Sequence, residues 1–341
     1  MDRNHNKIRV KFCTLNAPLW LRQFPGGVAV WKNCEFIFDP SARDYDWFVV
    51  YNDLPAPHVE EILACPQRNT LLVTTEPPSI KSYGNDFTKQ FGCVLTSQPE
   101  WSLSHNDRIF SQPALQWFYG WGNEKLRSYD DIVATPAFEK TKIISTVCSN
   151  KKQRHTLHNK RYQFTQDLKQ KLPELDTFGH GVRDMEDKAE ALDEYRYHIA
   201  IENFQGEHHW TEKLADPFLG LSLPFYFGCP NATDYFPEES FIPIDIFDLD
   251  GACEIIQRAI RDDEYQRRLP YIVEARKKVL EEYNLFAVLS REIETRHALQ
   301  SDSFICAVVA SRRQLRKNSP AVAARDFIEK IRVRLRSVVT K

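Results

Sequence analysis

Residues 195–230 restrict the fold of this 341-residue chain more than any other stretch. The apolar run 197–201 predicts a short buried strand. Thr211 can then cap a helix that ends at Gly220, and a second apolar run follows at 223–227. The order strand, loop, helix, strand is typical of an α/β unit, in which strand ends and helix starts meet at one edge of a sheet.

Polar side chains gather where the first of these strands ends and the helix begins. In open α/β sheets, ligands bind beyond the carboxyl ends of the strands, and a helix N-terminus adds partial positive charge that suits a phosphate. A lysine there adds a full charge, while carboxylates and an amide can bind hydroxyl groups. Spacing alone supports a second interpretation equally well, in which these residues belong to a capped surface helix and all their side chains are solvated. The polar residues are Glu202, Asn203, Thr211, Glu212 and Lys213.

The sequence motifs of this region indicate a protein family more specifically than the spacing of its polar residues does. It contains Glu202-Asn203-x-Gln205-Gly206, Thr211-Glu212-Lys213-Leu214, Leu223-Pro-Phe-Tyr-Phe-Gly-Cys-Pro230, Phe236-Pro237 and Ser240-Phe241-Ile242. In this order the motifs resemble the donor-binding signature of the family 10 glycosyltransferases, the α-1,3/4-fucosyltransferases, in their bacterial, soluble form. The resemblance implies the GT-B fold, an α/β architecture of two Rossmann-like domains that face each other across a cleft, here with a C-terminal helical tail. It also implies GDP-fucose as the donor substrate and the five polar residues above as donor-binding residues.

The first third of the chain shows more strand patterns. Alternation over residues 8–15 and the apolar runs Trp47–Tyr51 and Thr70–Thr75 predict three strands. Helical spacing from Val59 to Cys65 predicts a helix between the second and the third. The alternation indicates a mostly parallel sheet covered by helices.

Glu76 is the candidate catalytic residue of this first part. Pro77 disfavours an α conformation at Glu76, so the carboxylate is expected at the carboxyl edge of the sheet. Considered alone, an exposed loop glutamate is the commoner interpretation. Thr74-Thr75-Glu76, with Phe91-Gly92-Cys93 and Asn106-Asp107-Arg108 after it, resembles the family's acceptor-domain pattern. The resemblance implies that Glu76 is the base, although the usual Gly-Glu-Asn wording is replaced here by Thr75-Glu76-Pro77.

The region from residue 128 onward predicts a linker, 128–141, and then a second α/β unit that begins with the strand 142–148. Arg161 lies in the first turn of a helix predicted over 159–172, and its place resembles the family segment that puts an arginine on the donor diphosphate. A solvated arginine on a basic helix is the alternative. A second group of candidate donor-binding residues lies at two places. One is the loop before this helix, and the other is two residues before Thr211, where the family usually has an aromatic residue. These are Ser149, Asn150, Arg154 and His209, with Lys152 as a further cation.

The last part of the chain predicts helices and a basic tail. Apolar residues recur at helical spacing from Gly251 to about Gln300, with an expected interruption at Pro270. From Ser311 to Lys341 there are ten Lys and Arg against two Asp and Glu. The tail helix has an apolar face and a basic surround, and either an anionic membrane surface or docking of that face onto the body would use it. The apolar face is Phe327, Ile331, Leu335 and Val338, and the surround is Arg325, Lys330, Arg332, Arg334 and Arg336.

The predicted domains are an acceptor-side Rossmann-like domain at 1–135, a nucleotide-sugar domain at 136–300 and the amphipathic tail at 301–341. No stretch has the apolar core of a signal peptide or the length of a membrane span, so a cytoplasmic protein is expected, with a peripheral position at the inner membrane face as an option. The eight cysteines never form a Cys-x-x-Cys pair, so neither a disulfide framework nor a zinc site is expected.

These observations lead to one functional hypothesis. The chain is expected to be an inverting glycosyltransferase that needs no cofactor and no metal, and moves fucose from GDP-fucose to a hydroxyl group. The expected acceptor hydroxyl is O3 of GlcNAc or glucose in an oligosaccharide, glycoprotein glycan or glycolipid such as lipopolysaccharide. The alternatives are another GDP-sugar as donor, or a non-catalytic nucleotide-binding scaffold recruited to a membrane. Nucleic-acid binding by the tail explains nothing about residues 1–310.

Overall fold

The computed structural model describes residues 7–14, 17–55, 59–112, 116–122, 126–135, 139–149, 157–297 and 307–339, and for residues 338 and 339 it describes the backbone without the side chains. The chain divides into two compact units. The first unit contains Met1–Pro113 together with Leu285–Lys341, and the second contains Ala114–Asn284.

The N-terminal part of the first unit is a sheet in the order β2-β3-β1-β4-β6-β7-β8. All neighbours in it are parallel except β2 and β3. The central strands β4, β6 and β7 are almost wholly buried, which explains their unbroken apolar sequences. The strands are β1 (Ile8–Cys13), β2 (Val30–Trp31), β3 (Cys34–Ile37), β4 (Trp47–Tyr51), β5 (Glu60–Ile62), β6 (Thr70–Val73), β7 (Cys93–Thr96) and β8 (Arg108–Phe110), and the helices are α1 (Ala17–Leu21) and α2 (Asn85–Thr88).

The second unit is a parallel sheet in the order β10-β9-β11-β12-β13, with helices packed against it. Its helices are α3 (Tyr129–Ala134), α4 (His158–Lys171), α5 (Glu212–Leu219), α6 (Leu249–Arg261) and α7 (Glu264–Glu281). Its strands are β9 (Lys142–Val147), β10 (Leu175–Phe178), β11 (Tyr195–Ile201), β12 (Leu223–Phe227) and β13 (Ile242–Pro243). A short 3₁₀ helix spans Lys188–Ala191.

The chain then returns to the first unit. The elements of this return are α8 (Leu285–Arg296), β14 (Val308–Ala310), α9 (Arg312–Asn318) and α10 (Pro320–Val339). Phe286 of α8 stacks on Phe24 with ring centroids 3.9 Å apart, and it also meets Phe12 of β1. Burial of these aromatic rings in one cluster explains why α8 belongs to the first unit.

The boundaries of the two units differ from the predicted domain boundaries at both ends of the second domain. Trp117 and Ile132 lie in the apolar core of the second unit, so this unit begins before residue 136. Residues 285–297 pack with the first unit, so the second unit ends before residue 300. The assignment of acceptor and donor roles to the two halves stays a prediction.

Three local predictions were wrong, and a distant partner decides the structure in the first of them. The segment predicted as a helix at 59–65 contains β5, which pairs antiparallel with β14 near the C-terminus. The predicted linker at 128–141 contains α3, which starts with a capping box between Ser128 and Asp131. Pro270 lies inside α7, and the breaks between the late helices fall on either side of α7 instead.

The tail helix α10 packs on the first unit through its polar side. Arg325 Nε lies 2.9 Å from Asp86 Oδ2, and the backbone N–H of Asn85 donates to Glu329 Oε2 at 2.9 Å. Val333 is buried, whereas Phe327 and Leu335 are 64% and 65% exposed. The docking of the apolar face onto the body, one of the two predicted uses, is therefore wrong, and the Val338 side chain lies outside the described part.

Candidate functional site

A cavity of about 190 Å³ opens at the carboxyl ends of β9, β10 and β11 in the second unit. Parallel strands bring their ends to one edge, so residues far apart in sequence meet there. The cavity is lined by Val147, Ser149, Arg161, Gly179, His180, Met185, Lys188, His198, Ile199, Ala200, Ile201, Glu212 and Lys213.

Arg161 reaches the cavity from the first turn of α4 and is 7% exposed. Its Nη1 donates to the backbone oxygen of Ile201 at 3.3 Å. Its Nε is buried, and no group in the described part of the chain accepts from it. A buried guanidinium with a donor to spare is suited to an anionic ligand.

The start of α5 brings two charged side chains to the cavity. Thr211 caps the helix, because its Oγ1 accepts from the backbone N–H of Lys213 at 3.3 Å. Lys213 Nζ lies 2.8 Å from Glu212 Oε1. A cation, a carboxylate and the positive end of a helix therefore lie together at this edge.

Glu202 lies beneath this pair and is fully buried. Its carboxylate accepts from both the backbone N–H and the hydroxyl of Thr211, at 2.8 and 2.9 Å, and Lys213 Nζ is 3.6 Å away. Gly228 is required next to it, because a Cβ there would collide with the Glu202 side chain. Glu202 thus braces the cap of α5.

The pKa values of these groups follow from burial and mutual charge. Burial raises the pKa of Glu202, and Lys213 only partly offsets that increase. Burial alone would also raise the pKa of Glu212, but the charges of Lys213 and Lys188 outweigh it and lower the pKa to about 2. Burial lowers the pKa of Lys213, yet the two carboxylates reverse this and raise it. Glu212 and Lys213 are therefore a charged pair at neutral pH.

The other predicted donor residues are placed as follows. Ser149 lines the cavity, whereas Glu202, Asn203, Thr211 and His209 are not among its lining residues in the described part of the chain. Asn203 Oδ1 is buried and accepts from no described group. His209 is buried against Phe204, at 5.4 Å between ring centroids. Asn150, Lys152 and Arg154 lie outside the described residues.

Lys188 and His198 are two of the lining residues that the sequence analysis did not single out. Lys188 Nζ lies 2.7 Å from Asp216 Oδ2 and donates to the backbone oxygen of Glu212 at 3.3 Å, so it ties the 3₁₀ helix to α5. His198 stands inside the strand β11, where a single histidine reads as part of the core. The Asp187-x-x-Glu190 capping box is the one local signal that could have drawn attention to Lys188.

Glu76 lies in the first unit, three residues beyond the end of β6 and partly exposed. Neutral hydrogen bonds hold its backbone: Gln98 Nε2 donates to Glu76 O at 2.7 Å, and the N–H of Thr75 donates to Tyr83 Oη at 2.8 Å. A turn begins at Pro77, whose backbone oxygen accepts from the N–H groups of Ile80 and Lys81. The carboxylate thus stands at the carboxyl edge of this sheet, on a loop with a fixed backbone.

Lys81 lies close to Glu76 in the same loop. Its Nζ donates to Asn52 Oδ1 at 2.5 Å and stands 4.7 Å from the centre of the Tyr83 ring. Burial, together with the charge of Arg312, lowers the pKa of Lys81 to about 8. The Arg312 guanidinium, at the start of α9, donates to the backbone oxygen of Ser82 at 2.6 Å, so the C-terminal segment supports the loop that carries Glu76.

Residues 137–307, half of the chain, match the family model described as "Glycosyltransferase family 10 (fucosyltransferase) C-term". The chain belongs to glycosyltransferase family 10. The matched region includes the whole cavity edge described above, from β9 to α5. The family and enzyme class predicted from the motifs are therefore confirmed.

A curated protein is similar to this chain in sequence, and a solved structure is similar to it in fold. The α-(1,3)-fucosyltransferase FucT of Helicobacter pylori is 32% identical over 82 residues, which are 24% of this chain and 16% of the relative. The match thus spans about a sixth of that protein. A crystal structure of an α1,3-fucosyltransferase aligns over 89% of this chain and 95% of its own, with a TM-score of 0.51 at 15% identity. This similarity in fold, together with the mostly parallel sheet in each of the two units, confirms the predicted fold class.

Neither a metal site nor a membrane-spanning helix is found among the described residues. No group of three or more His, Cys, Asp and Glu side chains in the described ranges is placed to hold a metal ion. Among the described helices, none has both the length and the apolar character to cross a bilayer. The seven described cysteines are free and buried, and Cys306 lies outside these ranges.

Proposed function

We propose that this family 10 member transfers fucose from GDP-fucose to a hydroxyl group of a glycan acceptor, with inversion at the sugar carbon and without a metal ion. The observation that carries the proposal is the cavity edge of the second unit. There Arg161, Lys213 and Glu212 meet at the start of a capped helix.

The donor side follows from charge. As the bond from C1 of fucose to the diphosphate breaks, the bonding electrons leave with GDP, and the diphosphate oxygens gain negative charge. Arg161, Lys213 and the N-terminus of α5 are fixed before the ligand arrives, so they stabilise that charge without reorganisation. Ionised Glu212 is suited to accept from ribose hydroxyls. Fixed cations of this kind can do the work of a metal.

The acceptor side requires a base. In this proposal Glu76 removes the proton of the acceptor hydroxyl while that oxygen forms the new bond to C1. A partly exposed carboxylate on a fixed backbone fits this role, since it must meet the acceptor and take up a proton. The proposed acceptor is an oligosaccharide or glycolipid, with O3 of GlcNAc or glucose as the receiving hydroxyl.

The direct test combines the full chain with GDP-fucose, other GDP-sugars, and acceptors of the lactosamine and lipopolysaccharide types. We expect GDP release that depends on both fucose donor and acceptor, an inverted anomeric centre in the product by NMR, and activity that survives EDTA. Selective use of another GDP-sugar would replace the donor in this proposal. Tight GDP binding without any transfer would support the non-catalytic scaffold.

The tail helix supports a second proposal, that the protein binds peripherally to an anionic membrane surface at the cytoplasmic face. Phe327, Ile328, Ile331 and Leu335 are exposed on α10, and Arg and Lys residues flank them. A basic helix with an exposed apolar stripe gains both from burial of that stripe and from anionic lipid.

Vesicle co-sedimentation tests this second proposal. The chain should bind vesicles that contain phosphatidylserine and not vesicles of phosphatidylcholine alone. The double substitution Phe327→Ser and Leu335→Ser should weaken binding about tenfold or more. Phe247→Ser is the matched control, because Phe247 is 60% exposed on the second unit. Equal binding to both vesicle types would exclude the electrostatic part of the proposal.

A further inference from the structure

His198 lies on the floor of the cavity at the edge of the second unit. Side chains alternate along a strand, so His198 and Ala200 of β11 share one face of the sheet, as do Ser145 and Val147 of β9. Ser145 and His198 are direct partners in the register of the two strands. The imidazole is 2% exposed, and the residue contributes to the cavity wall.

The hydrogen bonds around His198 fix its tautomer. The Ser145 hydroxyl donates its single proton to the backbone oxygen of Ala191. Ser145 Oγ lies 2.8 Å from His198 Nδ1, so this oxygen can only accept there, and Nδ1 must carry the imidazole proton. Nε2 is then an unprotonated acceptor on a residue that lines the cavity.

The surrounding charges keep the ring neutral. Burial, together with the positive charges of Lys188 and Lys140, lowers the pKa of His198 to about 3, although a hydrogen bond with the backbone of Ala191 acts in the opposite direction. At neutral pH the imidazole therefore stays neutral, and the cavity contains a permanent acceptor beside several cations.

The chemistry of the cavity divides its surface between parts of a ligand. A phosphate has only acceptor oxygens, so it belongs with Arg161 and Lys213 and not with His198 Nε2. Ribose hydroxyls have an ionised acceptor in Glu212. The walls near His198 are apolar, formed by Val147, Met185 and Ala200, and flat apolar walls suit a planar base.

We propose that His198 is a specificity-determining residue that reads the nucleobase, its Nε2 accepting a hydrogen bond from an N–H on the edge of guanine. Guanine presents two adjacent donors, N1–H and the 2-amino group, on one edge. Adenine has an N1 acceptor and a C2–H at the same two positions, and its 6-amino donor lies on the other side of N1. An unprotonated imidazole nitrogen attracts the first arrangement and repels the second. The inference rests on the proposed function, because it takes a guanosine diphosphate as the ligand.

The test is calorimetric titration of the full chain with GDP, ADP and inorganic diphosphate. Wild-type protein should bind GDP at least about tenfold more tightly than ADP. His198→Phe keeps the ring but removes the acceptor, so the ratio of GDP to ADP affinity should fall about tenfold or more, while the affinity for inorganic diphosphate stays unchanged. His198→Gln offers an amide oxygen and should restore part of the ratio.

Tyr195→Phe is the matched control. It removes one hydrogen bond from the same strand, between Tyr195 Oη and Asp176 Oδ2 at 2.6 Å, and Tyr195 does not line the cavity in the described part of the chain. The GDP to ADP ratio should not change in this variant.

The outcomes separate this inference from the proposal beneath it. Wild-type protein that binds GDP and ADP equally overturns the inference even if His198→Phe fails to fold, and so does an unchanged ratio in a folded His198→Phe. Fucose transfer from GDP-fucose would leave the proposed function standing in both cases. Wild-type protein that binds neither GDP nor inorganic diphosphate overturns both.

Discussion

The two units end their sheets in different ways. In the second unit, charged side chains at the strand ends are buried and paired with each other, as in the group Glu202, Glu212 and Lys213. In the first unit, Glu76 is partly exposed, and the backbone next to it is held by the neutral side chains of Tyr83 and Gln98, while Arg312 supports the same loop at Ser82. Charges that are fixed in advance suit the binding of a charged nucleotide, whereas an accessible carboxylate on a fixed loop suits proton transfer.

The largest effect should come from the exposed carboxylate. Glu76→Gln keeps the shape of the side chain but cannot take a proton, so we expect transfer to fall about 10²–10⁴-fold while GDP binding is unchanged. Steady-state assays of transfer and calorimetry of GDP binding measure the two quantities separately.

Glu100→Gln is the control for this comparison, since Glu100 is exposed and follows β7 as Glu76 follows β6. Its transfer rate should equal that of the wild type. Full turnover in Glu76→Gln would remove Glu76 from the role of base, and a parallel loss of GDP affinity would assign it to the donor site.

The next effect belongs to the buried pair of the second unit. Lys213→Met removes the cation between two carboxylates, so GDP affinity should fall about tenfold or more, and the melting temperature should also fall. Lys171→Met, which breaks an exposed pair with Asp250, is the control and should change neither quantity appreciably. GDP affinity that survives Lys213→Met would place the diphosphate elsewhere.

The sequence was sufficient where local signals decide the structure. The Thr211 cap and the break at Gly220 marked α5 correctly, and β11 ends at Ile201 as its apolar run predicted, whereas β6 ends at Val73, two residues before the predicted end. Both sheets and the family followed from such signals and from the motifs.

What sequence reasoning missed depends on contacts between distant segments. β5 is a strand because it pairs with β14, which lies near the C-terminal end of the sequence. His198 is polar in a buried strand, and only the folded structure shows that Ser145 engages its Nδ1 and that the residue lines the cavity. Glu202 was predicted to bind hydroxyl groups, yet its contacts with Thr211 are visible only after folding.

The smallest effect concerns acid stability, and it extends the comparison from ligands to protons. The second unit buries two neutral histidines, His198 and His209, and burial lowers the pKa of each to about 3, with adjacent lysines acting in the same direction. In the unfolded chain a histidine titrates near about 6.5. Between these values the unfolded state binds protons that the folded state does not, so the free energy of unfolding must fall as the pH falls below about 6.5.

Each histidine contributes a slope of up to about 1.4 kcal/mol per pH unit in that window. Urea unfolding between pH 7 and pH 5, monitored by tryptophan fluorescence, should show this loss, and His209→Phe should make the slope shallower by about the share of one histidine. His180→Gln is the matched control, because His180 is exposed and paired only with Asp184 in the described structure. An unchanged slope in His209→Phe would mean that His209 binds a proton as readily in the folded protein as in the unfolded chain. The second unit would then tolerate a charged imidazole among its buried carboxylates and lysines.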